Sequence, residues 1–453
     1  MNVFAPMRSS RLADNFIAKA PYLSAEFAAA ERERLWPTVW LVACREEEVS
    51  KPGRYVTFDI ADDSIIVSRD GGGRLRAFHN ACQHRGRRLT DGCGFTAKFL
   101  CKYHGWRWNL DGSNDAVIDR EDWEGSLSDA DVRLKDVQVA TWGGFVFVNM
   151  EKDAEPLESY LAPVMHAFRN FRLESMRYHW YKSVILPCNW KVALDVFIEG
   201  YHAQTAHRQS NAISGDNRYE CELFGPHSVF RNRAPVVIGE PGPNFDKIGG
   251  VPEDNARFAS LQNLAAKLAA YFQTLHDDLD CMLTPRFMRA VARMAEAAPA
   301  DADYDTLMGM LYQYHLEEGS VEGVNWDHLP LEDLIYLGMD WHVFPNVAML
   351  PTADAVLAYR ARPWGKDPDQ CRLDVWSLAR FPEGQEPSLE REFYERWEDA
   401  QWPRIFTQDF ENVGAIQTGM KSRGYEGGRA NPIAEATVAN FHQELRRRVL
   451  GGD

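Results

Sequence analysis

The sequence predicts an α+β fold in two parts: a small all-β domain over residues 38–152, and a larger domain over 153–453 with an antiparallel sheet surrounded by helices. Three observations predict it. From Thr38 onward short β-rich runs succeed one another (TVWLVACR, RYVTFDI, SIIVSRD, LRAFHNAC), separated by turn residues. Past Asp153 the texture changes to groups of strand-like runs set among helical ones. No internal repeat or low-complexity linker interrupts either part.

Composition excludes several classes. Hydrophobic residues at 45% and charged residues at 26% are ordinary globular values, and 453 residues allow a large core. The formal net charge of −16 argues against nucleic acid or an anionic membrane surface as a partner. Eight scattered cysteines do not make a disulfide framework. No long apolar run follows the N-terminal charges and no stretch of about 20 apolar residues exists, so a cytoplasmic protein with no membrane span is expected.

Taken in order, residues 22–36 read as an amphipathic helix with Ser24 as N-cap and Pro37 as terminator. Residues 1–37 are thus an N-terminal helical segment, expected to pack on the larger domain. Gly71–Gly73 marks a hairpin, Asp111-Gly112 a tight turn, and ATWGGFVFVNM the last strand of the small domain. PLESYLAPVMHAFRNF has a helical pattern and HWYKSVILP that of a strand. Asn189 opens a helical run that continues to His207, and residues 255–318 read as a helical insertion. WHVFPNVAMLP, AVLAYRARPW and CRLDVWSLARF are three strands at hairpin spacing. SLEREFYERWEDA, PRIFTQDFENVGAIQTGM and AEATVANFHQELRRRVLG read as helices.

Chemistry concentrates first in Asn80–Trp106, which holds Cys82, His84, Cys101 and His104. Each end contributes one thiolate and one imidazole. Such a ligand set makes either a closed tetrahedral zinc site or a Rieske [2Fe–2S] centre, with two Cys on one iron and two His on the other. Zinc fingers usually pair Cys with Cys and His with His along the chain, and here each loop carries one of each. Gly86 and Gly105 let the backbone turn close to a cluster. Cys93 lies outside the ligand pattern and reads as a small buried or half-buried thiol.

The pattern C-x-H-R-G followed by C-x-Y-H-G-W resembles the Rieske domain of the aromatic-ring-hydroxylating oxygenase α subunits. That resemblance extends over nearly the full length. It implies that the small domain holds the [2Fe–2S] cluster and that the larger one is catalytic, with a mononuclear Fe(II).

The second constellation is Glu199-Gly-Tyr-His202-Ala-Gln-Thr-Ala-His207. On a continuous helix His202 and His207 would stand about 140° apart, so they converge only at a helix end or across a distortion. By itself H-x₄-H is weak evidence for a metal. The family resemblance implies that these two histidines are iron ligands and that the third is Asp409, with Gln417 eight residues later. Two His and one carboxylate form the facial triad of non-haem Fe(II) oxygenases. Glu411 is a rival carboxylate. Glu199 resembles the family's carboxylate linking the iron site to a Rieske His of the neighbouring subunit, and Asp195 competes for that role. Tyr201 reads as a further neighbour of the iron or as simple packing. Val196, Phe197, Ile405 and Phe406 flank the motifs, as pocket lining or as helix core.

The resemblance implies a terminal oxygenase that uses O₂ and electrons from NAD(P)H, delivered through a separate reductase and a ferredoxin. No G-x-G-x-x-G fingerprint follows a strand, so a nicotinamide domain is not evident in the chain. The expected reaction is mono- or cis-dihydroxylation of an aromatic substrate, with oxidative O- or N-demethylation as the alternative. The family also implies a homotrimer in a head-to-tail ring, with or without a β subunit. Competing classes are a non-catalytic Rieske electron-transfer protein and a zinc-stabilised interaction module.

Overall fold

A computed structural model of the chain describes residues 7–8, 15–211, 218–233, 237–238, 240, 242–248, 256, 258–279, 282–326 and 328–451. The chain divides into two compact units. The smaller comprises Ala29–Leu161 and Leu173–Ser175, and the larger Met1–Ala28, Ala162–Arg172 and Met176–Asp453.

The smaller unit is built from short antiparallel sheets. A four-stranded sheet has the order Leu75–His79, Asp63–Arg69, Arg54–Ile60, Cys93–Phe95. Its first hairpin is set locally: the Asp70 carboxylate accepts from the backbone N–H groups of Gly72 and Arg74, both at 2.9 Å, and Gly73 takes φ +80°. The segment ATWGGFVFVNM, read from sequence as one strand, is a hairpin. Gln138–Trp142 and Phe145–Asn149 pair across Gly143-Gly144, both at positive φ, as a two-residue turn that keeps the strand twist demands. Phe145–Asn149 then pairs with Leu41–Arg45 as the buried middle strand. Cys93 is exposed, contrary to expectation, because it lies on the edge strand of the four-stranded sheet.

The larger unit is organised on a nine-stranded sheet. Its order is Met7–Arg8, Tyr219–Phe224, His227–Asn232, Asp340–Val343, Val347–Pro351, Ala355–Pro363, Cys371–Ala379, Arg177–Leu186, Arg391–Tyr394. All neighbours are antiparallel except the last pair. The three expected strands after residue 340 are four, since WHVFPNVAMLP folds back on itself at Pro345-Asn346. SLEREFYERWEDA is not a helix. Arg391–Tyr394 pairs in parallel with the exposed edge of Arg177–Leu186, so sheet pairing overrides local helical preference.

One buried carboxylate ties the central strands together. Asp374 accepts from Arg360 at 2.7 Å, Arg372 at 2.9 Å, Arg362 at 3.2 Å and the Ser183 hydroxyl at 2.6 Å. Its carboxyl is held well below the usual range; burial opposes this, and the three guanidinium groups outweigh it.

The helices Trp190–Asp195 and Ala436–Arg446 pack on the sheet. Ser24 caps the helix Ala25–Arg34 by accepting from the Phe27 N–H at 3.1 Å, as its sequence position predicts. Ahead of it, Phe16–Ala18 pairs with Gly427–Arg429, a strand in what was read as a purely helical segment. The expected helical insertion contains three helices among the described residues: Leu264–Leu279, Pro285–Ala297 and Tyr304–Val321. The first of these packs on the helix Arg404–Met420 and on Arg208–Asn211, the two elements that flank the site described next. No helix of the described residues is long and apolar enough to cross a membrane.

Candidate metal centres

The two cysteine–histidine loops of the smaller unit are built alike. In each, the Cys N–H donates to the carbonyl five residues on (Cys82 to Arg87 at 2.9 Å, Cys101 to Trp106 at 2.8 Å). The glycine four residues on donates back to the Cys carbonyl (Gly86 at 2.8 Å, Gly105 at 3.0 Å). Both glycines sit at φ +72°, where a side chain would be strained. The buried Asn80 side chain anchors the first loop, accepting from Leu89 N–H at 2.9 Å and donating to the Thr90 carbonyl at 2.7 Å. Trp106 stacks on His84 with ring centres 4.8 Å apart, and His84 lies 4.6 Å from His104.

These loops suit an anionic, thiolate-held cluster. Backbone N–H groups of His84 and Arg85 point at the Cys82 sulfur, and those of Tyr103 and His104 at the Cys101 sulfur. Burial pushes both thiols up; for Cys101 the N–H groups and the neighbouring Cys82 outweigh it and hold it below the usual thiol range. Nδ1 of His84 is buried and makes no hydrogen bond, as a lone pair reserved for a metal would be. The two sulfurs face each other and the two imidazoles lie side by side, the like-with-like pairing of a Rieske cluster with two Cys on one iron and two His on the other.

The second site lies wholly in the larger unit. Asn189 caps the helix Trp190–Asp195, its side chain accepting from Lys191 N–H at 3.1 Å. The run expected to continue as helix breaks after Asp195, and only a single turn, Ala203–Ala206, separates His202 from His207. The break lets imidazoles five residues apart converge, with their Nε2 atoms 3.2 Å apart. Asp409, on the helix Arg404–Met420, brings Oδ1 to 3.4 Å from His202 Nε2 and 3.3 Å from His207 Nε2. Asp409 is buried and Oδ1 makes no hydrogen bond of normal geometry. Three donor atoms that face one another, one of them a buried carboxylate oxygen without a hydrogen bond, fit a small cation.

Electrostatics agrees. Burial works against charging His202, but the Glu199 and Asp409 carboxylates prevail and push it up to about 10. Burial would raise Asp409, yet the two histidines hold it below the usual carboxylate range. A divalent ion would replace the proton that this arrangement otherwise attracts.

Of the other carboxylates named from sequence, Glu199 stands beside the pair and Asp195 does not. One oxygen of Glu199 faces His202 Nδ1 at 2.5 Å, and the other accepts from the Tyr201 and His202 N–H groups. Asp195 instead accepts from the Tyr22 hydroxyl at 2.7 Å and lies 3.1 Å from His442 Nε2. Both carboxylates line a cavity of about 370 Å³ together with His202, Tyr22, Val196 and Glu435. Glu411 is exposed, as is the Tyr201 side chain. Gln417 accepts from the Asn189 N–H at 3.0 Å and donates to Asp369, joining two helices rather than touching the histidines. Phe197 and Phe406 are buried against Tyr359, which favours helix core over pocket lining.

Sequence reasoning missed Gln408 and Gln209, which meet at His207, and the Tyr22–Asp195–His442 group. It also missed Glu435, which burial pushes up to about 7. Gln408 adjoins Asp409 and Gln209 lies two residues after His207, which were the available signals. The rest are joined only by folding.

Comparisons with known proteins bear on both sites. Residues 39–122 match the family description "Rieske [2Fe-2S] domain", and residues 171–451 match "Ring hydroxylating alpha subunit (catalytic domain)". A chloroplastic choline monooxygenase of Beta vulgaris is 30% identical over 244 residues, 50% of this chain and 52% of that one. A chlorobenzene dioxygenase subunit alpha of Cupriavidus sp. (strain PS12) is 30% identical over 244 residues, 49% of this chain and 52% of that one. The matches thus span about half the length of these curated relatives. In fold, the chain is similar to the quaternary ammonium Rieske monooxygenase CntA solved with L-carnitine. The TM-score is 0.62 at 18% identity, over 98% of this chain and 99% of that one. With the catalytic-domain description matched from residue 171 to residue 451 behind a Rieske domain, this chain belongs to the Rieske-type ring-hydroxylating oxygenase alpha subunits.

Proposed function

We propose that the protein is the terminal oxygenase of a multicomponent system, with His202, His207 and Asp409 as ligands of a mononuclear Fe(II) and Cys82, His84, Cys101 and His104 as ligands of the Rieske cluster. The observation that carries this reading is the convergence of two imidazole nitrogens and one carboxylate oxygen within 4.8 Å. When bound, the cluster supplies single electrons and the Fe(II) supplies the place where O₂ is reduced beside the substrate. Glu199 accepts the Nδ1–H of His202, which orients the ring and strengthens it as a ligand. Asp195, tied to Tyr22 and His442, holds the N- and C-terminal segments against the same cavity. Electrons come from NAD(P)H through a separate reductase and ferredoxin, and the assembly is a homotrimer.

The first reading of the reaction is hydroxylation of an aromatic ring, which the matched family description supports. A second reading, hydroxylation next to a quaternary ammonium nitrogen, is supported by the similarity to a choline monooxygenase. One experiment separates the two. The reduced protein is mixed with O₂ and either an arene or a choline-like cation, and the products of one turnover are identified. A phenol or cis-diol supports the first reading and an aldehyde the second. No oxygenated product from either, in protein with both metal sites filled, would sink both.

A further inference from the structure

We infer that Gln408 and Gln209 form an interlocked amide pair that positions His207 for the metal, and that the two iron-site histidines are therefore backed differently. The inference rests on the iron-site reading above and deepens it. Gln209 Nε2 donates to Gln408 Oε1 at 3.0 Å, and Gln408 Nε2 donates to Gln209 Oε1 at 3.1 Å. That reciprocal pairing couples the two amides, so that one cannot be reversed without the other, because an amide oxygen only accepts and an amide nitrogen only donates. Gln408 Oε1 also lies 2.9 Å from His207 Nδ1. With Gln408 Oε1 facing it, His207 carries its proton on Nδ1, which leaves the Nε2 lone pair facing His202 and Asp409. Reversing both amides together would present an N–H to Nδ1 and turn the proton onto Nε2, where it would block a metal. Gln209 and His207 are buried, so water does not readily substitute for the lost acceptor.

With a metal ion in place of its second proton, His202 would have the same tautomer for another reason. Its Nδ1 faces the Glu199 carboxylate, an anion, where His207 faces a neutral amide. A carboxylate partner makes an imidazole the stronger donor to a metal. The site thus joins one strengthened and one neutral imidazole. Gln408 and Gln209 are positioning residues, acting through His207 and not on the substrate.

The test uses the full chain with its Rieske cluster in place and Co(II) as the probe of the second site. Gln408→Leu and Gln209→Leu remove the pairing, and Gln408→Glu keeps an acceptor opposite Nδ1. Co(II) dissociation constants are measured by visible titration. The strongly shifted exchangeable N–H resonances of the Co(II) protein report the two histidines separately. The wild type is expected to show two such resonances. Gln408→Leu should weaken Co(II) by about 10- to 100-fold and lose only one resonance to solvent exchange. Gln408→Glu should recover wild-type affinity or better, which a loss of packing would not allow. An unchanged far-ultraviolet circular dichroism spectrum and thermal midpoint, beside a retained Rieske EPR signal, mark each variant as folded in both units. The inference is overturned if both Leu variants keep the wild-type affinity and both resonances, or if His207 carries its proton on Nε2. Failure of the wild type itself to bind Co(II) would be a different result, removing the iron-site reading and this one with it.

Discussion

The two candidate metal centres are built on opposite plans. The cluster loops close within themselves: Cys82 and Cys101 each bond to a carbonyl five residues on, and each loop turns on its own positive-φ glycine. The His202–His207–Asp409 group has no such local closure. Its histidines converge because a helix fails after Asp195, and its carboxylate arrives on a helix two hundred residues later. A locally built site tolerates damage elsewhere in the fold, whereas a site assembled from distant elements inherits the stability of everything that holds those elements.

The sharpest test of that contrast is Asp409→Ala. It should abolish product formation and lower the iron content by about one atom per chain, with the Rieske spectrum unchanged. Survival of activity would mean that the carboxylate ligand is elsewhere. The converse change, Cys101→Ser, should remove the red-brown colour and the acid-labile sulfide. The second site should still take up Co(II), because nothing in its own geometry passes through the loops. Loss of Co(II) uptake as well would break the claim that the sites are built independently.

A change far from both sites sharpens it further. Asp374→Ala leaves the buried Arg360 and Arg362 and the half-buried Arg372 without their shared carboxylate, a loss of about 3–5 kcal/mol by the usual cost of breaking a buried pair. Denaturation followed at two wavelengths should then show Co(II) released well before the cluster bleaches. Coincident transitions would show that the cluster loops depend on the sheet after all.

The last test is pH, which addresses the second site alone. In the metal-free protein His202 is pushed up to about 10, above the ordinary histidine value. Its contribution to stability is fully present below about 6.5 and is lost as pH rises through about 10. A divalent ion must displace that proton, so metal affinity should fall by about tenfold for each pH unit lowered below 10. Calorimetry of Co(II) binding in two buffers of different ionisation heat would measure the released proton. The absence of proton release at pH 7 would show that His202 is already neutral.

How much was legible before folding follows the same division. The cluster loops could be read directly, since ligand order, glycines and flanking aromatics all lie between Asn80 and Trp106. The strand texture around them was legible too, except where Gly143-Gly144 hid a hairpin inside one apolar run. In the larger unit the helix Arg404–Met420 was visible from its pattern, but Arg391–Tyr394 was not, because its pairing partner is a strand two hundred residues earlier. The histidine pair could be named only by resemblance, as H-x₄-H on a regular helix points two ways.

By itself the sequence determined the α+β class, the thiolate–imidazole loops and the residue types for a second, oxygen- and nitrogen-rich site. Those follow from local spacing and backbone preference. Tertiary structure alone decided that Glu199 and not Asp195 backs His202, that Glu411 faces solvent, and that Gln408 and Gln209 meet over His207. Hydrogen-bond partners far apart in the chain are chosen by how the helices pack on the sheet, and no local pattern records that choice.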